Sequence, residues 1–177
     1  GTIIASFQTS AVSYLYYADR VYQINLAIAG IAVGTVSLPV LTKALKTKNF
    51  FKVNNIQNKS LELSLLLSIP ASLGLIIASE EIINALFGYG SFTKENVLIT
   101  AKALEYFGYG IPAFALLKVL SNFFFARDNT KTPFHISLLV VFLNTAISLS
   151  FFNQVGFLII PVSTSISTWL GVLVYII

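Results

Sequence analysis

Asp19 and Arg20 stand side by side in YLYYADRVYQ, the opening turns of an apolar run that reaches Lys43. Ionised side chains in so apolar a segment are costly, and the default reason for keeping them is a functional site. Gln23 follows at helical spacing, and Lys118 interrupts a second apolar run, ALLKVLSNFFF. A permanent cation with forked donors is suited to anions. Arg20 is therefore the leading candidate for substrate binding, with Asp19, Gln23 and Lys118 as further candidates. For Arg20 two readings stand side by side: it lines a watery cavity, or it snorkels to the outer headgroups. For Lys118, near the cytoplasmic end of its helix, the same two are open. Other chemistry lacks its parts. One histidine, no cysteine and no close set of carboxylates leave nothing with metal-ligand spacing. No Ser/His/Asp constellation or phosphate-cradling glycine loop is visible. No catalytic residue, metal or cofactor is expected, and His135 reads as a surface residue at a helix start.

The elements that must position these residues follow from composition. With 56% hydrophobic residues and 10% charged, the chain cannot build a soluble surface, which normally carries about 25% charged residues. The alternating pattern of a β-barrel is absent, so an all-α, polytopic transmembrane bundle is expected. Five spans can be placed, plus the end of a sixth in residues 1–8, joined by Thr9, Ser10 and Ala11 to the next helix. That helix runs from about Ser13 to Leu45, with Pro39 near its end as a potential kink. Further spans are expected at about Leu61 to Ser79, Thr93 to Phe125, Pro133 to Phe152, and Phe157 onward. The turns between them fall at Phe87 to Phe92, Arg127 to Thr132 and Asn153 to Gly156. No methionine occurs, and both ends lie within apolar runs, as expected of a piece of a longer protein.

Cations fix the orientation, because Lys and Arg in short loops stay cytoplasmic. Lys43, Lys46, Lys48, Lys52 and Lys59 fall in one loop region, and Arg127 and Lys131 in another on the same side; only Lys94 faces outward among acidic neighbours. The net charge of +4 is thus a topology signal, and no nucleic-acid partner is expected. On the long helix Arg20, Gln23, Ala27, Gly30 and Gly34 recur at three- and four-residue steps, which predicts one shared face. Its outer part is polar, while Gly30 and Gly34 form a small-xxx-small step suited to close helix packing.

The run SYLYYADRVYQ with GIAVGTVSLPVLTK, the later FGYGSFT, and LLKVLSNFFFARDNTKTP together resemble the bacterial lipid II flippase family, of the MurJ or MviN type, in the multidrug/oligosaccharidyl-lipid/polysaccharide exporter superfamily. The likeness covers nearly the whole chain in order. It implies two six-helix lobes around a central cavity, residues 1–177 forming most of the second lobe as a single domain. It also implies that Arg20 lines a cationic cavity and is required for function, that Asp19 matches the adjoining acidic position, and that Lys118 matches the family's KVL lysine. Gln23 falls where some members have glutamate. Asn25 and Ala27 depart from the family's frequent proline and glycine, predicting a less bent helix.

The expected function is the flipping of lipid-linked peptidoglycan precursor by alternating access in the bacterial cytoplasmic membrane. Lipid II, membrane lipids and the first lobe of the same chain would be its partners. Within transport the alternatives are a drug/cation antiporter, which would need buried acids beyond Asp19 and Glu105, or a polysaccharide-lipid exporter. A membrane enzyme acting on polyprenyl phosphates would need a cluster of acids or histidines that the cytoplasmic loops lack. A scaffold without transport would leave Arg20 without a purpose.

Overall fold

A chain immersed in hydrocarbon can satisfy its backbone amides only within itself, and helices are the local solution. The computed structural model describes residues 11–177, and these form helices without a strand. The expected helix end in residues 1–8, and Thr9 and Ser10 of the connection, lie outside the described residues. The first helix, α1 (Ala11–Leu26), passes through a π-helical turn (Ala27–Ala32) into α2 (Val33–Lys46). The three parts make one rod of 36 residues. Pro39 lies inside unbroken α2, so the irregularity sits a turn and more before the proline rather than at it.

The next helix, α3 (Phe50–Ile77), begins well before the expected Leu61. Asn49 caps it, its side-chain oxygen accepting from the Lys52 amide at 2.9 Å, a strong start signal. The first turns, FFKVNNIQNKS, are too polar to register as a span, yet Val53 is 4% exposed and packs inside. A helix of 28 residues is about 42 Å long, against about 30 Å of hydrocarbon. Its N-terminal turns therefore project past the apolar layer. A short helix, α4 (Ser79–Phe87), follows, and the turn to Thr93 is irregular.

The segment expected as one helix from Thr93 to Phe125 is two: α5 (Lys94–Gly108) and α6 (Ile111–Phe125), bent by 41°. Thr93 caps α5 by accepting from the Asn96 amide. The bend is made by Gly108, Gly110 and Pro112. Proline in the first turn of α6 disrupts no helical bond there, and a Cβ at Gly110 would stand 2.7 Å from the Ser165 hydroxyl. Two last helices, α7 (Lys131–Val155) and α8 (Ile159–Ile176), fold back on each other through Gly156 at φ 72°. Asn144 donates to the Thr164 hydroxyl at 2.8 Å, and the Ser148 and Ser163 hydroxyls are 2.6 Å apart. These bonds tie the hairpin where α7 and α8 touch, as inter-helix polar glue. The stretch Lys131–Ile176, 46 residues of membrane-grade hydropathy, is thus a helical hairpin and not one rod.

Packing divides into two apolar cores. One gathers α1, the end of α3, α4, α5 and the starts of α6 and α8 around Ala18, Leu104 and Ile111. The other joins α2, α3 and α6 through Leu41, Val53, Val119 and Phe123. The second core lies against both basic turns, because Ala44 and Ala126, the last buried residues before them, belong to it. The Lys-rich turn and the Arg127 turn therefore share one end of the bundle. Both pass through a left-handed residue, Lys48 (φ 53°) and Asp128 (φ 57°). Aromatic contacts at the opposite end join Tyr17 to Phe87 and Phe92, and Tyr14 to Phe157.

Candidate functional site

Helix α1 buries one side and leaves the other bare. Ala18, Tyr22 and Leu26 are buried, Tyr22 stacking on Phe107 of α5 at 4.8 Å between ring centroids. Tyr16, Arg20 and Gln23 stand on the exposed side, with Asp19 half-buried between. Adjacent helical residues project about 100° apart, and Asp19 and Arg20 accordingly take different partners. The Arg20 guanidinium donates to the Tyr16 hydroxyl at 2.8 Å and lies 4.7 Å from the centroid of that ring. The Gln23 amide donates to the Asp19 carboxylate. Each thus pairs with a residue one helical turn away, Arg20 with Tyr16 and Asp19 with Gln23. Asp19 and Tyr16 also form the polar lip of a cleft of about 330 Å3 whose far wall includes Phe107 and Thr164.

Lys118 is placed elsewhere. It is exposed on α6, and its Cβ would lie 3.7 Å from a Cβ built on Gly30. Gly30 follows Arg20 by ten residues, about 15 Å along the helix axis. The expected straight face is also broken: Arg20, Gln23 and Ala27 are exposed, whereas Gly30 and Gly34 are buried. A Cβ on Gly30 would come 3.2 Å from the Ala115 Cα, and one on Gly34 2.5 Å from the Asn122 amide nitrogen. The cause is the π turn, whose i→i+5 bonds hold an extra residue. Everything beyond it is rotated by about one residue step, roughly 100°. A polar face toward the outside is thereby joined to a smooth face turned onto α6.

Sequence reasoning missed what supports these irregular segments. Ser60, Ser64, Ser68 and Ser72 form a buried row on α3. The Ser64 hydroxyl donates to the Ala29 carbonyl inside the π turn at 3.3 Å, and Ser72 to the Gly108 carbonyl at the α5–α6 bend at 2.8 Å. From α8, Ser165 donates to the Tyr106 carbonyl at 2.7 Å and the Trp169 indole to the Tyr109 carbonyl at 3.0 Å. Carbonyls released by a bend in hydrocarbon need such donors. The four-residue serine spacing was the visible signal for the α3 row.

The family model for the lipid II flippase MurJ matches residues 1–177. This chain belongs to that family. It is 40% identical over 166 residues to a probable lipid II flippase MurJ of Rickettsia prowazekii (strain Madrid E), covering 94% of this chain and 33% of the relative. A probable MurJ of Rhizobium tropici is 38% identical over 171 residues, 97% of this chain and 32% of its own. A solved structure, the lipid II flippase MurJ in an inward closed conformation, superimposes with a TM-score of 0.90 at 32% identity. The match covers 98% of this chain and 37% of that one. The chain thus spans about a third of the length of the curated MurJ relatives it matches.

Proposed function

We propose that this chain is most of the second lobe of a MurJ flippase that carries lipid II from the inner to the outer leaflet of the bacterial cytoplasmic membrane. Five passes are inferred: α1–α2, α3, the bent pair α5–α6, α7 and α8. The preceding segment would contribute a sixth. Arg20, with cations from the first lobe, would hold the pyrophosphate of the precursor at the face between lobes. Asp19 and Gln23 flank it, while Lys118 lies too deep to share one phosphate and would meet the headgroup at another stage of transit. The passage makes and breaks no covalent bond, so Arg20 acts by binding alone.

The observation that carries this reading is the exposed guanidinium of Arg20, held by Tyr16 rather than by a carboxylate. A snorkelling arginine needs only headgroups, whereas a binding arginine needs its fork. The test is growth rescue by the full-length parent in cells depleted of their own flippase, with membrane levels of every variant measured. Wild type should rescue, and Arg20→Ala and Arg20→Lys should insert normally and fail. Full rescue by Arg20→Ala would overturn the assignment.

A further inference from the structure

Between the rod and α3, bordering the second core at Val33 and Ile56, lies a groove of about 490 Å3. Ile28, Val36 and Val40 form one wall, and Ile56, Leu63 and Leu67 the other. Val36 is 71% exposed and Leu63 47%. The hydroxyls within the groove do not make it polar, because Ser37 and Ser60 donate to the Gly34 and Ile56 carbonyls of their own helices.

Charge is confined to one end. Lys59 stands in the groove wall. Lys43 follows Val40, and Lys52 precedes Ile56, by one helical turn each, so both extend the same walls beyond the groove. Glu62, the acid of α3, follows Lys59 at the i,i+3 spacing of helical neighbours, and Lys59, Lys43 and Lys52 together leave this end cationic beside that single carboxylate. This end is the one that carries Lys46 and Lys48, the cytoplasmic end by the positive-inside rule.

Length discriminates between occupants. From Lys59 to Leu67 the groove runs about 12 Å, within the depth of one leaflet, which is half of the roughly 30 Å hydrocarbon layer. It is shorter than one leaflet is deep, cationic at its cytoplasmic end and apolar along the rest. We propose that this groove is a binding site for an anionic phospholipid of the cytoplasmic leaflet, with one acyl chain between α2 and α3 and the phosphate at Lys59 and Lys43. A long polyprenyl chain would outrun it. The site is separate from Arg20 and independent of the transport reading.

The test uses the full-length parent in phosphatidylcholine nanodiscs containing a trace of phospholipid with a diazirine on its acyl chain, carried on either a phosphatidylglycerol or a phosphatidylcholine headgroup. Photolabelled peptides are mapped by mass spectrometry. The phosphatidylglycerol probe should label Val36, Leu63 and Leu67 several-fold more than the phosphatidylcholine probe. Lys59→Gln combined with Lys43→Gln should remove that preference while leaving phosphatidylcholine labelling in place. Equal labelling of wild type by both probes would overturn the proposal, as would absence of label because another part of the parent covers the groove. Displacement of the label by a lipid-linked polyprenyl diphosphate at equal concentration would assign the groove to the transported lipid and overturn it likewise.

Discussion

Arg20 carries five N–H donors, and among the described residues its side chain meets the hydroxyl and ring of Tyr16. The ring orients the cation from one side, and on the proposed reading the rest of the fork is left for an incoming anion. Tyr16→Phe keeps the ring and loses only the hydroxyl, so lipid II flipping by the full-length parent in proteoliposomes should stay near wild type. Tyr16→Ala also loses the cation–π contact, worth about 0.5–1 kcal/mol at an exposed site, and should slow flipping by about two- to five-fold. A Tyr16→Phe loss as large as that of Tyr16→Ala would show that the hydroxyl, not the ring, positions the cation. Asp19, Arg20 and Gln23 were legible in the sequence as costly polar residues in an apolar run. Their pairing was not, because a partner one turn away and a partner next door leave the same sequence trace, and only the 100° step between neighbours separates them.

At the scale of elements, length and hydropathy were enough to place most helices, and the departures have separate causes. The early start of α3 was hidden by its polar opening turns, although Asn49 was a readable cap. Gly108, Gly110 and Pro112 carried the signal for the α5–α6 bend, outweighed by the apolar residues around them. The π turn has no such mark, since AIAGIA would continue an α-helix equally well. What holds it is tertiary, beginning with Ser64. The bend depends on donors in the same way, and Ser72 is the testable one. Ser72→Ala should destabilise the full-length parent by about 0.6–1.7 kcal/mol, the range of inter-helix hydrogen bonds in membranes. Ser68→Ala, which loses only a 3.5 Å contact to its own helix, should cost less. Unfolding in mixed micelles would compare the two, and equal losses would remove the bend-supporting role from Ser72.

For the whole molecule, orientation follows from the shared end of the two basic turns, which the second apolar core draws together. In a cysteine-free full-length parent, Lys46→Cys should react with a membrane-impermeant thiol reagent only from the cytoplasmic side, and Ser91→Cys only from outside. Labelling of both from one side would invert or break the topology. The positive-inside pattern and the helix order agreed on this in the sequence, whereas the division into two cores was not legible, because it depends on how α3 and α6 lean against the rod. The serines of α3 lie along that contact and alternate in their bonding: Ser60 and Ser68 turn to their own helix, Ser64 and Ser72 to a neighbour. Ser64 and Ser72 lie eight residues apart, about 12 Å along α3, and reach the π turn and the α5–α6 bend respectively, so a single helix acts as a splint across both irregular segments and holds them in a fixed relation.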